Sequence, residues 1–279
     1  MAERVGVEQE VFYSLRETRP LIYRDWDWWS WFLGRNYFGA ASEASQWDTV
    51  ERNIRTDLEL HPGMKILDLG CGSGELVFRL AQRGMSVTGI DNSKRLIDDC
   101  RSIAVERGIP AEFLKTNMFE YTPQTRFDVA LCINTSFGYG TDQENRRLFQ
   151  EIANWLRPDG QLYLTVIIAD YAESFGIWSD YLEGGTLIVE NRYDSNAQLM
   201  TSWPYWLPPN EETMICSKIP ECVRLYRIEE IESMLKGAGF IPHMLSSDPG
   251  YPSHSLGNKV TRTWVAQSGS KPLTEEGSI

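Results

Sequence analysis

Ile66-Leu67-Asp68-Leu69-Gly70-Cys71-Gly72-Ser73-Gly74 opens as an apolar run and closes as a loop with glycine at alternate positions. A short apolar run, then glycines, then Glu75-Leu76-Val77-Phe78 reads as strand, tight loop and helix. Glycine lets such a loop turn sharply and lets a ligand approach the backbone. The helix behind it offers free N–H groups and a partial positive charge. Dinucleotide loops follow GxGxxG, which from Gly70 requires glycine at position 75, where the chain has Glu75. The spacing here is GxGxG, with Asp68 two residues before the first glycine. A carboxylate there repels a pyrophosphate and suits a ligand with an ammonium group. A second piece is Ile90-Asp91-Asn92-Ser93. Asp91 lies about 20 residues beyond the glycines, where a carboxylate accepts hydrogen bonds from ribose hydroxyls. Its alternative role is to cap the helix that follows.

Around this loop, strands and helices alternate. Strands are expected at 65–69, 86–90, 111–114, 127–133 and 161–168. Helices are expected at 74–83, 93–107 and 142–156, the second capped by Ser93 and stopped by Gly108. The strand at 161–168 is almost wholly apolar, as a strand covered on both faces should be. This alternation argues for a parallel, doubly wound sheet. Upstream, residues 1–60 read as helical with a turn near 34–41. Trp47, Val50, Ile54 and Leu58 mark an amphipathic helix that ends at His61-Pro62-Gly63. Downstream, 170–226 holds short alternating stretches at 186–193 and 199–206, read as an antiparallel insertion. A helix at 227–238, strands at 240–245 and 260–266, and a polar, disordered tail at 268–279 complete the chain.

The expected fold is therefore α/β: a doubly wound, Rossmann-like seven-stranded sheet with an antiparallel final strand pair. Residues 1–60 form an N-terminal helical lid and 170–226 a small antiparallel β insertion capping the substrate. Residues 61–169 form the core, which 227–267 complete.

Composition narrows the function. Lys and Arg number 27 against 39 Asp and Glu, a formal net charge of −12. An acidic protein repels a phosphate backbone, which disfavours nucleic acid and favours a small molecule or a neutral to cationic partner. Five cysteines without a CxxC read as free thiols in a reducing cytoplasm. No apolar run approaches the roughly 18 residues needed to span a bilayer, and the N-terminus has no apolar signal core. Of ten tryptophans, four fall within Trp26–Trp31 and two more in Trp203-Pro204-Tyr205-Trp206. Trp26, Trp28, Trp29 and Trp31 cannot share one helical face, so at least one is expected to cover the substrate or cofactor.

Leu67 to Gly74, Gly89-Ile90-Asp91 and Leu156-Arg157-Pro158-Asp159-Gly160 together resemble the class I S-adenosylmethionine-dependent methyltransferases. The resemblance is close over 60–168 and continues through 225–240 and the final strand pair. Within that family, Asn134-Thr135-Ser136-Phe137-Gly138-Tyr139-Gly140 looks like a segment of small-molecule enzymes of secondary metabolism. The Asn/Asp-Pro-Pro-Tyr/Phe motif of DNA and protein-glutamine enzymes is missing there. The resemblance implies that Asp68, Gly70, Cys71, Gly72 and Gly74 surround the methionine portion of S-adenosylmethionine, converted on transfer to S-adenosylhomocysteine. Asp91 would hold the ribose, with Asn92 beside the adenine. Asn117, Met118 and Phe119 would flank that ring. Asn117 departs from the family's usual Asp but still donates and accepts. Ile133 and Asn134 would close the cofactor against the substrate.

Methyl transfer asks the protein to align nucleophile, methyl and sulfur and to exclude water; a base helps where the nucleophile carries a proton. Tyr139, Tyr23 and His254 are the candidates for proton transfer, with packing as the alternative role of each. His61 and His243 read as structural. Trp26, Trp29, Tyr37, Phe137, Trp203 and Trp206 are the candidate substrate contacts. No metal-ligand spacing is found. The expected activity is methylation of nitrogen or oxygen on a small organic molecule, nitrogen favoured. Carbon methylation, a non-transferring S-adenosylmethionine binder or cyclase, and a nicotinamide oxidoreductase are the competing readings. A homodimer is compatible with all of these.

Overall fold

The computed structural model describes residues 9–38, 44–134, 136–182, 184–245 and 261–269. The first elements are α1 (Gln9–Thr18), β1 (Leu21–Arg24), α2 (Trp26–Leu33) and α3 (Ala44–Asp57). The core follows as β2 (Lys65–Leu69), α4 (Glu75–Gln82), β3 (Ser86–Asp91), α5 (Lys94–Arg107), β4 (Ala111–Lys115), β5 (Phe127–Cys132), α6 (Asp142–Trp155) and β6 (Leu156–Ile167). Then come β7 (Ile177–Leu182), β8 (Gly185–Asp194), β9 (Leu199–Leu207), β10 (Met214–Ser217) and β11 (Glu221–Arg224). The chain ends with α7 (Ile228–Gly237), β12 (Phe240–Met244) and β13 (Thr261–Ser268).

Seven strands form one sheet in the order β12-β13-β6-β5-β2-β3-β4. β4, β3, β2, β5 and β6 run parallel, while β13 is antiparallel to both β6 and β12. Both faces are covered, as the near-continuous apolar strands require. Ile66, Val129 and Leu131 pack with α3, α4 and α5 on one side. Leu67, Leu69, Ala130 and Cys132 pack with α6 and α7 on the other. The predicted stripe of α3 is the one that is buried: Trp47, Val50, Ile54 and Leu58 are all at most 7% exposed. The doubly wound sheet and its antiparallel final pair are as the alternation implied. β6 starts earlier than expected, at Leu156, because Leu156 pairs with Phe127 ahead of a register shift that Asp159, with φ +64°, helps to form. The connection at 246–260 and the tail at 270–279 lie outside the described residues.

The second sheet differs from expectation in one respect. It runs β1-β10-β9-β8-β7, with β11 paired to β9. β1 comes from the N-terminal segment that read as helical, and it pairs in parallel with β10. Four residues following Pro20 show too little periodicity to be read as a strand; tertiary pairing decides their conformation. The N-terminal segment and 170–226 thus share one cap sheet, while α3 belongs to the core layer. Where a turn was expected near 34–41, Gly34–Phe38 forms a single π-helical turn, and 39–43 lie outside the described residues.

Side chains alternate across the cap sheet. Leu187, Val189 and Trp206 point to α2, packing with Trp29, Phe32 and Tyr37. Ile188, Tyr205, Met214 and Cys216 point the other way and pack on Phe12 of α1. α2 is held between the cap sheet and α5. Trp31 donates its indole N–H to Asp99 Oδ2 at 2.8 Å, and Arg35 pairs with the same carboxylate at 3.6 Å. Asp27 accepts the Ser93 hydroxyl at 2.7 Å and pairs with Arg95 at 3.3 Å. The tryptophans therefore divide between partners, as no single helical face could hold them all.

Ser93 is fully buried and does two jobs: its Oγ accepts the Leu96 N–H at the start of α5 and donates to Asp27. Ser93→Ala removes the cap and the docking bond together. It is expected to lower unfolding stability by about 1–2 kcal/mol, measured by urea denaturation.

Candidate functional site

The parallel strands end at one edge of the core sheet, and the order of winding reverses between β2 and β5. In such sheets ligands bind outside the carboxyl ends of the strands at that reversal. β2 runs there into the glycine loop. Gly70, Gly72 and Gly74 all have positive φ, at 73°, 54° and 77°. The Ile90 carbonyl accepts the N–H groups of Gly70 at 2.8 Å and Cys71 at 2.9 Å. A Cβ on Gly70 would stand 2.5 Å from Ser136 Oγ. At Gly72 the same Cβ would meet nothing within 4 Å, which leaves that flank of the loop open to a ligand.

Asp91, at the end of β3, organises this loop. Its Oδ2 accepts the Gly72 N–H at 3.0 Å and its Oδ1 accepts the Ser93 N–H at 2.8 Å. Burial holds its carboxyl above the usual carboxylate range, against the pull of those N–H groups. Asp68 sits behind the glycines, 2% exposed, and its Oδ1 has no hydrogen-bond partner among the described residues. Burial, then the charge of Asp91, pushes its carboxyl up to about 7. A buried carboxylate oxygen without a partner is costly, and an ammonium group would satisfy it. The loop, the open flank at Gly72 and the orphaned Asp68 oxygen fit the amino-acid end of S-adenosylmethionine.

The other expected cofactor residues gather nearby. Met118 Cε lies 3.8 Å from the Gly70 Cβ position. Asn117 Oδ1 accepts the Phe119 N–H at 3.1 Å, so its oxygen shapes the turn after β4. Cys71 is buried against Gly89, and burial drives its thiol upward. Gly74 is tightly packed, with Cys100 Sγ and Phe113 each 3.0 Å from its Cβ position. Ile133 is buried, Asn134 is half-buried with φ +50°, and Asn92 is exposed.

The expected substrate and proton-transfer residues divide. Tyr23 lies on β1 opposite Cys216, on the outer face of the cap sheet that α1 covers, so it turns away from the glycine loop. Trp203 lies on that outer face too, packing with Phe12 and Tyr205 and lying under Arg192 at 5.2 Å. Both departures have one cause, the two-residue alternation of a strand. Phe137 stacks on Phe149 at 4.5 Å as a core ring. Trp29, Tyr37 and Trp206 join the cluster between α2 and the inner face of the cap sheet. Trp26 opens α2 and is half-buried. The Tyr139 hydroxyl donates to Glu221 Oε1 at 2.7 Å. His61 and His243 are exposed, and His254 lies outside the described residues.

Three residues went unread in the sequence. Ser136 donates its hydroxyl to the Gly70 carbonyl at 3.3 Å, joining the loop after β5 to the glycine loop. Asp27 anchors α2 beside Asp91, and Glu221 meets Tyr139. Each depends on contacts across at least 66 positions of chain, and no local pattern announces them.

Residues 66–160 match the protein family described as a methyltransferase domain. A putative methyltransferase of a Geobacillus species is 36% identical over 103 residues, 37% of this chain and 42% of that protein. The ubiquinone biosynthesis O-methyltransferase of Aeromonas salmonicida is 33% identical over 140 residues, 44% of this chain and 58% of that protein. The chain thus spans less than two thirds of the length of these relatives. Among solved structures, an S-adenosylmethionine-bound amino pentose methyltransferase of Micromonospora echinaspora superposes with a TM-score of 0.60 at 19% identity, covering 88% of this chain and 98% of that one. Residues 66–160 thus match a methyltransferase domain, and the chain shares the fold of that S-adenosylmethionine-bound enzyme.

Because Asp68 titrates near 7, the folded protein holds a proton that the unfolded chain releases at its ordinary 3.8. Stability conferred by that proton is lost as pH rises through the window between them. A cationic ligand reverses the preference by favouring the carboxylate. S-adenosylmethionine affinity is therefore expected to level off above about pH 7 and to fall by up to about tenfold per unit below it. Asp68→Asn should bind more weakly and lose most of this dependence; calorimetric titration across the range checks both.

Proposed function

We propose that this chain transfers the methyl group of S-adenosylmethionine to nitrogen or oxygen of a small organic molecule, nitrogen favoured. The observation that carries this reading is the buried, unpartnered Asp68 oxygen behind a glycine loop that Asp91 holds open at Gly72.

When bound, the cofactor supplies a methyl group made electrophilic by its sulfonium. The chain's own residues would do the rest. Asp68 would receive the ammonium of the methionine portion. Asp91 would take the ribose hydroxyls on the lone pairs its N–H contacts leave free. Met118 and Phe119 would pack the adenine, with Asn92 and Asn117 at its edge, while Ile133 and Asn134 would separate cofactor from acceptor. α2 and the inner face of the cap sheet would close over the acceptor and exclude water, which strengthens electrostatic alignment at the reacting centre. Nitrogen is favoured because a neutral amine needs no strong base, and neither His61 nor His243 lies at the strand ends where the glycine loop sits. The names of the Aeromonas and Micromonospora proteins, an O-methyltransferase of ubiquinone biosynthesis and an amino pentose methyltransferase, support a small acceptor. A net charge of −12 speaks against nucleic acid, and five free cysteines suit the cytoplasm.

The test is titration with S-adenosylmethionine, S-adenosylhomocysteine and NADH. Binding of the two sulfur nucleotides is expected, weakened in Asp91→Ala by about tenfold or more, as loss of hydrogen bonds to a charged group implies. S-adenosylhomocysteine release in the presence of small amines or phenols then separates a transferase from a non-transferring binder. Binding of NADH alone would overturn the reading.

A further inference from the structure

The inner face of the cap sheet carries a polar row between two apolar clusters. Glu221 on β11 stands opposite Ser202 on β9, and Ser202 stands opposite Asn191 on β8. Directly paired residues share a face, and here the Ser202 hydroxyl donates to Asn191 Oδ1 at 2.7 Å. On one side of this row, Leu187, Val189 and Trp206 pack against α2. On the other, Met200, Tyr193 and Val223 pack against Ala169 and Ala172 beyond β6. All three row residues are half-buried.

Glu221 is the row's one charge. No cation faces it among the described residues; its carboxyl is raised by burial and eased only by the Tyr139 hydroxyl. The same short loop reaches the cofactor. Ser136 touches Gly70, Gly138 accepts the Arg224 N–H at 2.8 Å, and Tyr139 holds Glu221. Residues 136 and 139 are three apart, at most about 10 Å of backbone, so one short loop carries both the contact to Gly70 and the tyrosine that meets Glu221. A half-buried carboxylate aimed into a cap and lacking a cation of its own lowers stability unless a ligand supplies the charge.

Resting on the reading above, we propose that this row is the acceptor subsite and that Glu221 selects an acceptor that arrives as a cationic amine with a flat apolar body, its proton passing to the Glu221 carboxylate before the neutral nitrogen takes the methyl. Tyr139 is the positioning residue that fixes the carboxylate. Ser202 and Asn191 offer hydrogen bonds to polar groups on the acceptor. The −12 net charge of the chain enriches cations around it and favours the same class.

The experiment uses the full chain saturated with S-adenosylhomocysteine, titrated calorimetrically with tyramine and with its neutral isostere tyrosol. Tyramine is expected to bind at least about tenfold more tightly. E221Q should bring the ratio close to one while leaving S-adenosylhomocysteine affinity and folding intact, with a melting temperature unchanged or raised. Y139F, which keeps the charge, should weaken tyramine severalfold and retain the preference. Equal binding of the two probes, no saturable binding of tyramine, or a preference that survives E221Q would each overturn the proposal. Failure of S-adenosylhomocysteine itself to bind would count against the cofactor reading instead.

Discussion

Two carboxylates, Asp68 and Asp91, stand at the ends of neighbouring parallel strands, and the site is arranged around keeping them there. β2 and β3 pair in register, with Asp68 beside Gly89 and Asp91 two residues on. Neither has an ion-pair partner among the described residues, and the charge of Asp91 adds to the cost of ionising Asp68. Asp91 is stabilised by backbone N–H groups from the glycine loop and from the start of α5, so the loop's conformation and the carboxylate's charge depend on one another. Asp68 has no such relief. The fold accepts this local instability where a ligand would bring positive charge, which is how functional sites commonly depart from the rest of a stable structure.

The core was legible because its signals are local. Apolar strands, a glycine loop, a serine cap at 93 and glycine stops at 108 and 239 each act within a few residues. The cofactor side of the site was legible for the same reason: it sits on loops that follow strands directly. The cap was harder. Its strands were visible in part from alternation, yet the faces they present depend on pairing between segments far apart in the chain. Tyr23 and Trp203 illustrate the limit. Both are aromatic and both neighbour an aromatic cluster, yet each is one residue out of phase with the inner face. A single residue of phase moves a side chain to the other side of a sheet.

The cap also shows how an aromatic-rich segment is divided. Trp29 and Phe32 fill the space against the sheet, Trp31 reaches Asp99 on α5, and Trp28 stacks on Phe32 under Arg24. The density of tryptophan is explained by α2 having partners on two sides, core and cap. Trp31 packs broadly while its N–H finds an acceptor, whereas the buried Trp29 N–H has none among the described residues.

Ser93 meets both of these arrangements. Its backbone N–H binds Asp91 and its hydroxyl binds Asp27 of α2, whose charge also bears on Asp91. One residue thus touches both Asp91 and the helix α2 of the cap. Whatever changes the charge on Asp91 changes how firmly α2 is seated, and by reciprocity the seating of α2 alters affinity at Asp91. Ser93 therefore ties the end of β3 to α2, alongside the Trp31–Asp99 and Asp27–Arg95 contacts, so a change at either place is felt at the other.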